Sequence, residues 1–164
     1  MTIRQATSAD ADTLFEIHQD AIAKGSGNHY TPEQMRIWFE GRSPAIYDKY
    51  IKANQVWAAE AADGRLLGFV GIVPGEVILL YVRETAAGRG IGTRLLKHGV
   101  EEAQAGFEGP VKVIALLNAE SFYARSGFTK IRDTSFRRGD PPLDFPTVEM
   151  VLAPEAIMSA RHDR

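Results

Sequence analysis

The clearest hydrophobic pattern lies in the middle of the chain. A continuous apolar run at 77–82 is followed by a turn that contains Gly88, Gly90 and Gly92, and apolar residues then recur at helical spacing from Ile91 onward. A short run of β-branched and aromatic residues is typical of a buried strand, whereas helical spacing is typical of an amphipathic helix. The pattern therefore predicts a strand, a glycine turn and a long helix.

The preceding part of the chain predicts one strand, several helices and two further strands. A short strand is expected at 3–5, and Thr7 or Ser8 is expected to cap the first helix. A second helix start is marked by Thr31, Pro32 and Gln34, which fit an N-cap, a first helical residue and the end of a capping box. Helical spacing restarts at 43–51, and the strand-like runs 55–61 and 66–73 are joined by an Asp-Gly hairpin signal.

The last third of the chain predicts a strand at 111–116, a short helix capped by Asn118 and ended by Gly127, and strands at 128–136 and 147–152. This order predicts an α/β fold in which a mixed, mostly antiparallel central sheet carries helices on both faces. Because no repeat or linker interrupts the pattern, we expect one domain at 1–153 and a C-terminal tail at 154–164.

Composition narrows the class of protein. The 164 residues are 45% hydrophobic and 24% charged, with a formal net charge of −2, which is ordinary globular usage and disfavours nucleic-acid binding. No membrane span, secretory leader or His and carboxylate cluster with metal-ligand spacing is visible, so we expect a cytoplasmic protein without a metal. The chain has no cysteine, which excludes disulfides and thiolate nucleophiles.

The glycine turn predicts an anion site. Glycine lets the main chain approach a ligand closely, and the free amides of a first helical turn favour a phosphate. A P-loop is disfavoured because Gly92 is followed by Thr93 and Arg94 rather than by lysine, and a dinucleotide fingerprint would need a glycine where Thr93 or Leu95 stands.

Two motifs carry a family resemblance. The first is Leu80-Tyr81-Val82, then Gly88-Arg89-Gly90-Ile91-Gly92 and a helix; the second is Asn118-Ala119-x-x-Phe122-Tyr123-x-x-x-Gly127-Phe128. Together they resemble the acetyl-CoA motif and the second signature of the GCN5-related N-acetyltransferases, over roughly residues 2 to 153. The resemblance implies that family's fold, acetyl-CoA as cosubstrate and acetylation of a primary amine.

The resemblance also implies site residues. In that family, the strand before the glycine turn and the next strand splay apart, and the pantetheine arm lies between them. The cosubstrate-binding residues are then expected to be Tyr81, Val82, Ala87, Gly88, Arg89, Gly90, Ile91, Gly92, Thr93, Asn118 and Arg125. Ala87 departs from the family's usual arginine or glutamine, but it supplies the same main-chain N–H.

The catalytic candidates are Tyr123 and Glu76. Tyr123 matches the family's tyrosine that protonates the leaving thiolate, and Glu76 begins the strand leading to the glycine turn, from where its carboxylate could reach an amine through water. His29, Tyr30 and Trp38 are candidates for acceptor contact, with Trp38 favoured as a core residue.

Three functional classes compete. The leading class is an acetyl-CoA-dependent N-acetyltransferase that works by direct transfer in a ternary complex. The alternatives are a catalytically silent CoA-binding module of the same fold and, more distantly, another nucleotide-binding domain. The acceptor stays open among small amines, amino acids, antibiotics, protein N-termini and lysines, and a homodimer stays open as well.

Overall fold

The computed structural model describes residues 1–157, and its centre is a seven-stranded sheet. The strands are β1 Thr2–Gln5, β2 Val56–Glu60, β3 Leu66–Val73, β4 Glu76–Val82, β5 Val111–Leu116, β6 Thr129–Arg138 and β7 Leu143–Leu152. Their order in the sheet is β1-β2-β3-β4-β5-β7-β6. Only β4 and β5 pair in parallel, which confirms the predicted mixed, mostly antiparallel sheet.

Five α-helices and four 3-10 turns connect the strands. The helices are α1 Ala11–Gly25, α2 Pro32–Trp38, α3 Asp48–Lys52, α4 Ile91–Gln104 and α5 Glu120–Arg125. The 3-10 turns are Ser8–Asp10, Pro44–Tyr47, Glu84–Ala86 and Leu117–Ala119.

The helices cover both faces of the sheet because each face presents its own apolar side chains. On one face, α4 and α5 pack in a large cluster that includes Leu95, Val70 and Met150. On the other face, α1 and the Pro44–Tyr47 turn bury Leu14 and Tyr47 against β2 and β3. A third cluster joins the end of α1 and α2 to β7, with Ile22, Ile37, Trp38 and Phe145 at its centre.

Most predicted boundaries agree with the structure, and the capping box at α2 is present as expected. The Thr31 hydroxyl accepts from the Gln34 N–H, and the Gln34 side chain accepts from the Thr31 N–H. Thr7 also caps, but it caps the 3-10 turn that precedes α1.

Two local predictions were wrong. Asn118 does not cap α5, because it lies inside the Leu117–Ala119 turn and its side-chain oxygen accepts from Ser26 Oγ at 3.2 Å. The last strand begins at Leu143 rather than at 147, although it contains Pro146. Proline is tolerated there because β5 ends opposite Thr147, so the sheet does not need an N–H from Pro146 on that side.

The folded core extends past the predicted domain end. Ile157 is buried in the cluster under α4, and residues 154–157 are helical. The rest of the predicted tail, 158–164, lies outside the described residues. No helix within 1–157 is long and apolar enough to cross a membrane.

Candidate active site

The glycine turn at the start of α4 forms a cradle of main-chain amides. Gly88 and Gly90 have φ angles of 72° and 75°, a left-handed conformation that L side chains rarely adopt. The main-chain N–H groups of 88–93 form no hydrogen bond with any described residue. The first turn of α4 also contains no acidic residue, so its positive dipole end is left unneutralised. The cradle therefore suits an anion.

The cradle opens on a surface cavity of about 400 Å³. Its lining contains eight residues predicted to bind the cosubstrate, namely Val82, Ala87, Gly88, Gly90, Ile91, Gly92, Thr93 and Arg125, and adds Leu80, Ala86, Ala119, Phe122 and Tyr123. Arg125 is the only charged residue in this lining, and the exposed Arg89 lies within the turn itself. Both the amides and the side-chain charge therefore favour a phosphate or pyrophosphate.

Next to the cradle, β4 and β5 separate and leave a slot. The two strands pair only at Glu76 with Lys112 and at Val77 with Val113, so 78–82 have no partner on that side. A slot of about 50 Å³ lies between them. Leu80, Ala119 and Tyr123 line both the slot and the cradle, so the two spaces adjoin.

A bulge in β4 sets the direction of the amides along this slot. Gly71 pairs with Leu79 and Ile72 pairs with Val77, so Ile78 is an extra residue opposite β3. Farther along, the Arg83 N–H bonds to Leu67 O in β3. Because alternate residues point to the same edge, the Tyr81 main chain also faces β3, whereas Leu80 and Val82 present theirs to the slot.

Tyr123 lies where the cradle meets the slot. Its side chain is buried between Phe122 and Phe128, and its hydroxyl bonds to no described residue. Burial, and secondarily the electrostatic effect of Tyr81, raises the pKa of Tyr123 above its usual value. The phenol therefore keeps its proton at neutral pH and has an unused donor.

A second cavity, of about 610 Å³, borders the slot at Leu79, and we call it the acceptor cavity after the substrate that we propose binds there. It is lined by His18, Arg42, Ala45, Ile46, Tyr47, Asp48, Lys49, Tyr50, Lys52 and Leu79. Leu79 also lines the slot, so this residue forms the boundary between the two spaces.

Hydrogen bonds fix the buried wall of the acceptor cavity. Trp38 Nε1 donates to His18 Nε2 at 3.4 Å, and His18 Nδ1 lies 2.9 Å from the Tyr47 hydroxyl. An indole nitrogen can only donate, so His18 Nε2 must be the acceptor and the imidazole proton must be on Nδ1. Burial, followed by the positive charge of Arg42, lowers the pKa of His18 to about 3. His18 is therefore neutral, with both nitrogens engaged, and is poorly suited to act as a general base.

The residues predicted to contact the acceptor lie apart from this cavity. Tyr30 is buried, where its hydroxyl donates to Pro146 O at 2.6 Å and accepts from the Leu117 N–H. Trp38 is buried in the same cluster, against Phe145. His29 is exposed on the segment between α1 and α2.

Glu76 lies at the closed end of the slot. Its carboxylate pairs with Lys112 Nζ at 3.3 Å, and Glu76 lines neither the cradle, the slot nor the acceptor cavity. The predicted role of Glu76 as a base therefore stays a prediction.

Sequence patterns alone did not identify several residues of the site. Leu79 and Leu80 were part of the predicted strand and both line the slot. The bulge at Ile78, which turns Leu79 toward the acceptor cavity and Leu80 toward the cradle, has no signature in the sequence. Tyr47 lies in the segment 43–51, which was predicted only from its helical spacing, and Arg42 lies just before that segment.

An acyl-CoA transferase needs an anion cradle beside a slot for the acyl arm. This chain has an amide cradle, a slot between splayed strands and a separate cavity that borders the slot at Leu79. The family model described as an acetyltransferase (GNAT) domain matches residues 27–145. This chain therefore belongs to the GNAT acetyltransferase family and is an acetyl-CoA-dependent N-acetyltransferase.

Individual relatives agree with this assignment. An uncharacterized N-acetyltransferase of Escherichia coli (strain K12), YafP, is 26% identical over 130 residues, which are 79% of this chain and 82% of that protein. A GCN5-related N-acetyltransferase from Rhodopseudomonas palustris superposes with a TM-score of 0.79 at 21% identity and covers 93% of this chain and 94% of that one. The PaiA N-acetyltransferase from Thermoplasma acidophilum, solved in complex with coenzyme A, superposes with a TM-score of 0.73 at 20% identity, over 93% and 98%.

Proposed function

We propose that the chain transfers the acetyl group of acetyl-CoA directly to a primary amine while both substrates are bound. The observation that carries this proposal is that the three spaces adjoin one another. Tyr123 lines both the cradle and the slot, and Leu79 lines both the slot and the acceptor cavity. A thioester in the slot and an amine in the acceptor cavity would therefore meet beside Leu79.

In the proposed reaction, the pyrophosphate of acetyl-CoA binds the amides of 88–93, and the pantetheine arm lies along the main chain of Leu80 and Val82. The neutral amine attacks the thioester carbonyl carbon, so that a C–N bond forms and the C–S bond breaks. The proton lost by the amine goes to water. The departing thiolate takes a proton from the Tyr123 hydroxyl, which water then reprotonates. The products are an N-acetyl amine and coenzyme A.

Direct transfer is supported by the absence of cysteine from the whole sequence, because a thiol nucleophile is then unavailable for an acyl-enzyme.

The acceptor amine has to lose its proton before it attacks the thioester. For an amine with a pKa of ~10.4, deprotonation at pH 7 costs roughly 4.6 kcal/mol, which a base or a water chain beside the amine has to offset. We expect the reaction to occur in the cytoplasm, where acetyl-CoA is available.

The test is a screen of primary amines with acetyl-CoA that follows release of free thiol, and then initial rates with both substrates varied. Intersecting reciprocal plots are expected for a ternary complex. Parallel plots would contradict direct transfer. If acetyl-CoA binds but no amine in a broad panel releases thiol above background, the silent CoA-binding module becomes the better assignment.

A further inference from the structure

The acceptor cavity contains an arginine without an acidic partner. Arg42 lines the cavity and is partly buried, yet its guanidinium forms no ion pair or hydrogen bond with any described residue. Burial lowers the pKa of Arg42, which reflects the cost of moving its charge away from water. Two other partly buried arginines are paired: Arg4 binds Asp10 at 2.8 Å, and Arg83 lies 3.8 Å from Glu16. Arg138 has no carboxylate partner among the described residues, but its guanidinium lies over the rings of Trp38 and Phe136, away from this cavity.

The position of Arg42 links it to the reaction site. Its charge lowers the pKa of His18 and opposes the burial effect at Tyr81, so the guanidinium lies near the buried wall of the acceptor cavity. Leu79, which separates the cavity from the slot, belongs to the same lining. Arg42 and Leu79 therefore border the same cavity, in which the amine is proposed to bind.

Among the other charged residues of this lining, positive side chains outnumber negative ones. Lys49 and Lys52 stand at its rim, with Lys49 Nζ 4.7 Å from the centre of the Tyr50 ring. Asp48 is the only carboxylate in this lining; it is exposed and lies in the first turn of α3, where a negative charge stabilises the helix. A polycationic amine would meet like charges on entering such a cavity.

We propose that the acceptor is an amine that also carries a carboxylate, as free amino acids do, and that Arg42 binds this carboxylate. The inference rests on the proposed acetyl transfer. A guanidinium fork binds a carboxylate through two parallel N–H···O bonds, and the pairing removes the cost of the buried charge only when the substrate is present. The neighbouring amino group would then be directed toward Leu79 and the slot.

The experiment compares matched acceptors and matched variants in the thiol-release assay at saturating acetyl-CoA. The acceptors are the proteinogenic L-amino acids other than cysteine and proline, their C-terminal amides, and a lysine peptide blocked at both ends. Cysteine is left out because its thiol reacts in the assay, and proline because it has no primary amine. The variants are wild type, Arg42→Gln, Arg42→Lys and the control Arg36→Gln, which removes the same charge from an exposed residue on α2. Comparing variants on one acceptor cancels differences in the intrinsic basicity of the amines.

We expect at least one free amino acid to be acetylated. For it, Arg42→Gln should lower kcat/KM at least tenfold, mainly through KM, while Arg42→Lys loses less and Arg36→Gln changes it by less than twofold. The amide of that amino acid should be a poorer acceptor and should respond to Arg42→Gln by less than twofold. Because the guanidinium has no partner in the fold, the melting temperature and the affinity for acetyl-CoA should stay unchanged in Arg42→Gln.

Two results would overturn the inference while leaving acetyl transfer intact. One is that Arg42→Gln lowers kcat/KM equally for the free amino acid and for its amide. The other is a preference for the blocked lysine peptide or for amides that does not depend on Arg42. If no amine of any kind releases thiol, acetyl transfer itself is refuted and the inference falls with it.

Discussion

The imidazole of His18 stacks on the ring of Tyr81, with ring centres 4.0 Å apart and planes 25° from parallel. Tyr81 lies on β4 beside the slot, whereas His18 lies on α1, so this contact joins the helix layer to the strand that would bind the cosubstrate. The same imidazole is tied to Trp38 and Tyr47 by hydrogen bonds. A neutral His18 is therefore part of what holds α1 and α2 against the acceptor side of the sheet.

The first prediction concerns the pH dependence of stability. The pKa of His18 is about 3 in the folded protein, against ~6.5 in the unfolded chain. Between these two pH values the unfolded chain therefore binds more protons than the folded protein. The contribution of neutral His18 to the free energy of unfolding is complete above about pH 6.5 and is lost as pH falls toward 3. Between about pH 6.5 and about pH 5, the free energy of unfolding should fall by roughly 1.5 kcal/mol. Urea denaturation across this range measures it.

The matched variants for this experiment are His18→Phe and His29→Gln. His18→Phe keeps an aromatic ring against Tyr81 but does not titrate, so its stability curve should be flatter in this range, even if it is less stable at pH 7. His29 is exposed, and its replacement should leave the wild-type slope. A His18→Phe curve parallel to wild type would contradict the prediction.

The second prediction concerns the amide cradle. A Cβ at Gly92 would lie 3.6 Å from the nearest Phe122 atom, which is ordinary contact, so Gly92→Val should fold. Its side chain should hinder approach of the pyrophosphate and weaken acetyl-CoA binding at least about tenfold, or ~1.4 kcal/mol. Calorimetric titration measures this change. Gly27→Val is the control, because a Cβ at Gly27 meets nothing within 4 Å and Gly27 lies outside the cradle. Equal affinity of both variants for acetyl-CoA would argue against the phosphate site.

The third prediction concerns Tyr123. Replacing it with phenylalanine keeps the ring against Phe122 and Phe128 and removes only a hydroxyl that has no partner in the fold. The turnover number should fall roughly 10²-fold, since the thiolate loses its proton donor, while acetyl-CoA affinity and stability change little. Steady-state kinetics and titration measure both effects. A decrease below about threefold would mean that water protonates the thiolate.

The fourth prediction separates the core and acceptor roles of Trp38. Its ring packs edge-on against Phe136 and Phe145 at 5.4 and 5.3 Å, so Trp38→Ala should cost about 3–5 kcal/mol of stability. Kinetic parameters for both substrates should then deteriorate together. Trp57→Ala, which opens a cavity on the α4 face, is the comparison. A selective rise in the acceptor KM for Trp38→Ala alone would instead support acceptor contact.

Local chemistry in the sequence was enough to predict most elements and the cradle. The capping box of Thr31 and Gln34, the apolar run of β4 and the glycine turn each act over a few residues, so their patterns predict local structure without knowledge of long-range contacts. The cradle is local for the same reason: its amides belong to consecutive residues at one helix end. This is why the predicted phosphate site and the observed cavity largely share their lining.

The acceptor side was decided only by tertiary structure, since its residues come from segments far apart in sequence. Asn118 was a plausible cap by local rules, but Ser26, on a distant segment, binds its side chain. Trp38 and Tyr30 were placed in the core by partners at His18 and Pro146. Arg42 acquired its significance because the fold partly buries it and brings no carboxylate of the described residues to pair with it, and such a long-range absence leaves no local pattern in the sequence.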